Sequence, residues 1–181
     1  MITLISGTNR PNSKTAVFAQ HFKQLFEELA EEEIRYIDLA EPAMVDILRQ
    51  EMYSPAGQSP ALGRLQDEAI IPAHKFFFVY PEYNGSFPGM LKLFLDAISI
   101  REYGPTFKGK KAGLAGIASG RAGNLRGIDH LTGVLHHVGT LVMPKMLPIS
   151  GIGKLLDDQD QIQDEATKEA MRDLVKAFIA F

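Results

Sequence analysis

Five aromatic or β-branched residues in a row, Phe76-Phe77-Phe78-Val79-Tyr80, run directly into Pro81-Glu82-Tyr83-Asn84-Gly85-Ser86-Phe87-Pro88-Gly89. An apolar run without alternation suits a strand buried on both faces, and such strands belong to parallel sheets covered by helices on either side. Pro81 has no N–H for a ladder, so the chain is expected to leave the sheet there, and an amphipathic helix restarts near Pro88. The loop between strand and helix holds an acid, a phenol and an amide, and Gly85 and Gly89 permit backbone approaches that side chains would block. A loop of this kind offers N–H groups and an aromatic face to a flat polar ligand.

The same alternation runs through the rest of the chain. A short strand over 2–6 is followed by a polar segment and then a helix, with Ser13 as its N-cap and Val17, Phe18, His21, Phe22, Leu25, Phe26 and Leu29 at three- and four-residue spacing. A second strand covers 34–39. Residues 40–60 carry Pro42, Pro55, Gly57 and Pro60, which predicts an irregular excursion with room for one short helix around 44–52, a candidate wall or lid of the site. Helices over about 61–71, 88–99 and 123–138 alternate with strands over 75–80, 111–118 and 140–146. After a loop over 148–153, a terminal amphipathic helix is expected over 160–181. Five strands and five helical segments with short crossovers predict one doubly wound α/β domain spanning 1–181.

Composition narrows the chemistry. Of 181 residues none is Cys, which excludes disulfides, thiolate metal sites and a cysteine nucleophile, so any redox chemistry belongs to a cofactor. The formal net charge of −3 and scattered basic residues give no footing for nucleic acid. No apolar run approaches the ~20 residues of a membrane span and no basic leader precedes Ile2, so a soluble cytoplasmic protein is expected.

Two further loops resemble ligand loops. Ser6-Gly7-Thr8-Asn9-Arg10-Pro11-Asn12-Ser13-Lys14-Thr15 lies between the first strand and the first helix, where N–H groups and the positive helix end favour an anion such as phosphate. It lacks both the nucleoside-triphosphate and the dinucleotide glycine fingerprints. The alternative is an ordinary polar turn with a Ser N-cap. Ala118-Ser119-Gly120-Arg121-Ala122-Gly123-Asn124 opens the helix after the fourth strand. In a sheet of order 2-1-3-4-5, the first, third and fourth loops converge at the carboxyl edge, where ligands bind at the switch point.

Together the first loop, the Pro81–Ser99 stretch and the Ala118–Arg126 region resemble the NADPH-dependent FMN reductase family of flavodoxin-like proteins, which includes quinone, azo-dye and chromate reductases. The resemblance covers nearly the whole chain. It implies FMN as cofactor and NADPH or NADH as reductant. It places Thr8, Arg10, Ser13, Lys14 and Thr15 at the FMN phosphate, Pro81, Glu82, Tyr83, Asn84 and Gly85 at the edge of the isoalloxazine, and Ser119, Gly120 and Arg121 on its other side. The chain departs from the family at Asp96-Ala97-Ile98, where a Trp is common, and at Arg121-Ala122, where the family has a plainer glycine run. The second departure bears on the choice of acceptor and of nicotinamide.

None of the five histidines falls in the three loops, and no pair has the helical spacing of metal ligands. The reading is an NAD(P)H-dependent reductase of flavin, quinone or a similar small-molecule electron acceptor, in which the flavin carries the hydride and no side chain is a catalytic acid, base or nucleophile. Its rivals are a non-enzymatic FMN electron carrier that docks a protein partner, and a phosphate-ligand module without flavin. The apolar content of the helix from Pro88 (Met90, Leu91, Leu93, Phe94, Leu95, Ala97, Ile98) suggests surplus surface for a homodimer or homotetramer, with residues 101–107 at the contact. Simple burial of that helix at the sheet centre is the alternative. Arg101, Glu102 and Tyr103 are either a solvated turn or part of such a contact.

Overall fold

The computed structural model describes residues 1–41, 44 and 53–181. In chain order the elements are β1 (Ile2–Ser6), α1 (Lys14–Leu29), β2 (Ile34–Asp38), α2 (Pro60–Leu65) continued by a π turn (Gln66–Ile70), β3 (Lys75–Pro81), α3 (Gly89–Ile98), α4 (Tyr103–Phe107), β4 (Lys111–Ile117), α5 (Leu125–His137), β5 (Leu141–Val142), β6 (Leu147–Ile149) and α6 (Glu165–Ala180). The sheet is parallel with order β2-β1-β3-β4-β5, and β6 also pairs with β4. This is the flavodoxin-like doubly wound arrangement. No helix among the described residues is long and apolar enough to cross a membrane.

All seven residues of β3 are buried. Phe76, Phe78 and Tyr80 point into a core with Leu91, Phe94, Ile128 and Leu131, while Phe77 and Val79 point into a second core with Phe18, Phe22, Phe26 and Phe178. Phe77 sits within 4.9–5.3 Å, centroid to centroid, of Phe22, Phe26 and Phe178, contacts worth about 0.5–1.5 kcal/mol each beyond the area they bury. Its room is made by Gly113 opposite it on β4, where a Cβ would come within 2.6 Å of the Phe77 ring. The register pairs Ser6 with Val79 and Pro81 with Ile117, so the loops after β1, β3 and β4 leave from one edge.

Several expectations need correction. The fifth strand, expected over 140–146, is two short strands: Leu141–Val142 pairs with the start of β4 and Leu147–Ile149 with its end. Pro144 stands between them and cannot donate to the ladder. The terminal helix begins at Glu165 rather than 160, because Asp164 caps it by accepting from Thr167 N–H at 2.8 Å. Ahead of it, Asp157 accepts from the N–H groups of Gln159 and Gln161, a local turn that competes with helix. The short helix expected around 44–52 lies outside the described residues except for Met44, which is buried. The surplus apolar surface expected of α3 is absent: Met90, Leu91, Phe94, Leu95, Ala97 and Ile98 are buried, and Leu93 alone of that set is exposed. Nor is Arg101 in a solvated turn. Its guanidinium donates to Gln58 Oε1, Gly63 O and Asp67 Oδ1, while buried Gln66 donates to Ile98 O, Arg101 O and Thr106 Oγ1.

At the opposite edge, buried Lys110 donates to Ile70 O (2.6 Å) and Ile71 O (2.9 Å), capping the π turn. Burial pushes its pKa down to about 8, below the ordinary lysine value of about 10.4. Between those values the unfolded chain binds more protons than the folded one, so this group makes stability rise with pH there and contributes no slope below about 8. Lys110→Met is expected to flatten the rise in unfolding free energy between about pH 8 and pH 10. Urea titrations of both proteins across that range check it, and an unchanged slope contradicts the assignment.

Candidate functional site

Three loops meet at the carboxyl edge because their strands are in register, and three contacts hold them together. Gly7 N–H donates to Val79 O at 2.8 Å, which keeps the first loop beside the end of β3. One residue further, buried Thr8 shares a 2.8 Å hydrogen bond between its Oγ1 and the Tyr83 hydroxyl, and the same Oγ1 accepts from Arg10 N–H at 3.2 Å. Thr8 thus joins the first and third loops and turns the chain toward α1. The third loop is tied to the fourth strand by Glu82 N–H donating to Ile117 O at 2.9 Å.

Beyond Tyr83 the chain makes a tight turn. Tyr83 N–H donates to Ser86 O (2.9 Å) and Ser86 N–H to Tyr83 O (3.1 Å), with Asn84 at φ 52° and Gly85 at φ 77°. Two successive left-handed residues define a type I′ turn, for which Asn-Gly is the preferred pair. Ser86 Oγ in turn lies 2.9 Å from His130 Nδ1 on α5. No histidine falls within the three loops, yet His130 braces this turn from a neighbouring helix. Sequence spacing carries no sign of that contact, because 44 residues separate the partners.

A cleft of about 530 Å³ opens between these loops, lined by Arg10, Pro11, Asn12, Ser13, Lys14, Thr15, Pro81, Glu82, Tyr83, Ile117, Ala118, Ser119, Ile152 and Gly153. It brings together Arg10, Ser13, Lys14, Thr15, Pro81, Glu82, Tyr83 and Ser119 of the residues singled out in the sequence. The other five stand apart from its wall. Thr8 is buried behind the loop as a support, Asn84 and Gly85 form the turn beside the cleft, and Gly120 and Arg121 are in the exposed loop after β4. Pro11, Asn12, Ile117, Ala118, Ile152 and Gly153 were not anticipated. Ile152 and Gly153 follow β6, and the rule that ligands sit beyond the strand ends applies to that loop as much as to the others.

The electrostatics at the α1 end suit an anion. The first turn of α1 contains no acidic residue, leaving the positive end of its dipole uncompensated. Arg10 forms no ion pair with a described residue, whereas Lys14 pairs with Asp160 from the loop before α6. Ser13 Oγ accepts from Thr15 N–H at 3.3 Å, fixing the entry of the helix. The far wall is apolar or neutral except for the Glu82 carboxylate of the third loop. Beneath it, burial raises the Tyr80 phenol well above its usual range, so it stays protonated. The donor set therefore offers cations and hydroxyls at one end and mostly apolar walls with the Glu82 carboxylate elsewhere, which fits a phosphate-bearing ligand with a flat head. Among the described residues no group of three His, Asp or Glu side chains is placed to hold a metal.

A family model described as NADPH-dependent FMN reductase matches residues 1–153. The chain is 32% identical over 143 residues to an NAD(P)H-dependent FMN reductase of Pseudomonas aeruginosa, covering 78% of this chain and 75% of that protein. It is 31% identical over 142 residues to a 2-hydroxy-1,4-benzoquinone reductase of a Burkholderia species, covering 76% of each. Among solved structures, the flavoenzyme FerB of Paracoccus denitrificans, an NAD(P)H:(acceptor) oxidoreductase, superposes with a TM-score of 0.77 at 25% identity, over 99% of this chain and 94% of that one.

Thr8→Val keeps the shape of the side chain and removes both hydrogen bonds. It is expected to cost about 0.5–1.5 kcal/mol of stability and to speed amide exchange at Tyr83 and Ser86, because the turn loses its tether. Exchange at those two amides unchanged from wild type contradicts the supporting role.

Proposed function

Since the chain belongs to the NADPH-dependent FMN reductase family and is an FMN-dependent NAD(P)H oxidoreductase, we propose that the cleft between the first and third loops is its FMN site and that a quinone-like small molecule is its acceptor. The observation that carries the placement is the pairing of an acid-free α1 terminus with Arg10, a guanidinium that forms no ion pair with a described residue, at one end of a cleft whose other walls carry Glu82 as their charged side chain. FMN, when bound, supplies a ring that takes hydride from a nicotinamide and passes electrons to the acceptor.

The chain's own residues bind and position. Arg10 and the hydroxyls of Ser13 and Thr15 hold the phosphate, since a guanidinium gives paired, charge-assisted hydrogen bonds. Lys14 contributes once it exchanges Asp160 for the phosphate. Pro81, Ile117, Ala118 and Ile152 exclude water along the ligand and strengthen those charged contacts. Tyr83, anchored through Thr8, fixes the loop on which the ring rests, and Ser119 closes the opposite side. In this reading these residues act by placement, and the flavin carries the hydride. No observation favours the electron-carrier alternative, and the Burkholderia relative's benzoquinone points to a small cyclic acceptor.

Arg10→Ala is expected to weaken FMN binding by about 1.5–3 kcal/mol, the scale of a hydrogen bond to a charged group, and to leave riboflavin little changed. Calorimetric titration of both ligands checks this, and equal losses for the two would place the phosphate elsewhere. The function itself is tested anaerobically. NADPH or NADH should bleach the FMN-loaded protein, and added benzoquinone should restore the colour. A yellow protein inert to both nicotinamides overturns the enzyme reading.

A further inference from the structure

Arg126 is the second residue of α5, a position where a cation is opposed by the positive end of the helix dipole. The first turn of α5 holds no acidic residue to offset it, and Arg126 forms no ion pair with a described residue. Some other basic side chains are paired, such as Lys92 with Asp96, Arg101 with Asp67 and Arg172 with Glu28, while others, such as Arg10 and Arg121, form no ion pair with a described residue. Helix stability therefore gives no reason for a cation here.

The location of the side chain supplies one. A Cβ built on Gly85 would lie 3.6 Å from Arg126 Nη1 and 3.8 Å from its Cδ, so the exposed Arg126 side chain runs beside Gly85. One helical turn along the same face of α5, His130 braces Ser86 of that turn. The turn cannot swing away, since its two left-handed residues and the reciprocal Tyr83–Ser86 bonds fix its shape. The ionisable side chains nearest in sequence are Glu82 in the same loop and Asp129 and His130 on α5, and the mutually paired Lys92 and Asp96 of α3 line one cavity with His130. None of these neutralises Arg126 by direct contact.

We propose that Arg126 is a potential-setting residue: its uncompensated charge beside the Asn84-Gly85 turn favours the reduced, negatively charged flavin ring over the neutral oxidised ring. The inference rests on the reading that this turn edges the flavin ring. Reduction by hydride adds two electrons and one proton to the ring and so leaves it one unit more negative, which is the change a nearby cation stabilises. It is a positioning of charge and makes no bond to substrate. At a separation of several ångströms near solvent, one unit charge shifts the balance between the two redox forms by about three- to tenfold.

The test measures dissociation constants of oxidised and reduced FMN, and the midpoint potential of the bound flavin, in the wild type and in Arg126→Lys, Arg126→Gln and Arg126→Glu. The expected result for Arg126→Gln is reduced FMN weakened about three- to tenfold relative to oxidised FMN, a fall of about 15–30 mV at 29.6 mV per tenfold for two electrons. Arg126→Lys should retain most of the wild-type potential, Arg126→Glu should fall further, and the spread should narrow in high salt. Equal weakening of both redox forms would show a brace rather than a charge effect and overturn the proposal. A flat potential across the series overturns it as well, and Asn84→Ala then separates the causes. If that change alters the bound flavin's visible spectrum, the turn does edge the ring and only Arg126's role fails; an unaltered spectrum removes the loop reading itself.

Discussion

The burial of β3 on both faces is the constraint on which the rest of the structure depends. A strand whose alternate side chains enter two separate cores must be central, and here it lies between β1 and β4 with its residues in parallel register with both. Each fully buried Phe contributes on the order of 1.5–3 kcal/mol, so a slip of one residue would exchange Phe77 with Phe76 or Phe78 across the sheet and strand Phe77's ring cluster. Gly113 enforces the same register from β4, since only there is space left for the Phe77 ring. A fixed register fixes where the strands end, and the ends are where the ligand loops begin.

Given that edge, the site is assembled by a few contacts across loops. The Thr8–Tyr83 bond, the Gly7 N–H on Val79 and the Glu82 N–H on Ile117 convert three independent connections into one wall. Rigid placement matters more than proton transfer in a reductase whose cofactor performs the chemistry. The distribution of charge follows the same logic. Arg10 at one end and Arg126 at the turn beside the cleft form no ion pair with a described residue, whereas Lys14 is held by Asp160 in an exposed pair worth little on its own.

Much of this was legible in the residues. The alternation of apolar runs with amphipathic helices predicts the parallel sheet, and Ser13 as N-cap marks the start of α1, where it is found. The Asn84-Gly85 pair carries a recognised turn signal, although that signal alone does not say what flanks the turn. The fifth strand was misread because apolar content over 140–146 outweighed Pro144, whose missing N–H breaks the ladder into β5 and β6. The apolar face of α3 was taken as surplus because its count of apolar residues says nothing about how deeply a helix sits between β3, α2 and α5.

What the sequence by itself determined is local: which segments pair as strands, which wind as helices, and which polar loops lie at strand ends, since these follow from side-chain period, caps and the backbone limits of Gly and Pro. What only the tertiary structure decided is the meeting of residues far apart in the chain: Thr8 with Tyr83, Lys14 with Asp160, Ser86 with His130, Gly85 with Arg126, and Gln66 with the backbone after α3. These depend on the register of a buried strand and on the depth to which each helix packs. Both are set by the summed fit of two cores, a quantity that no single segment carries.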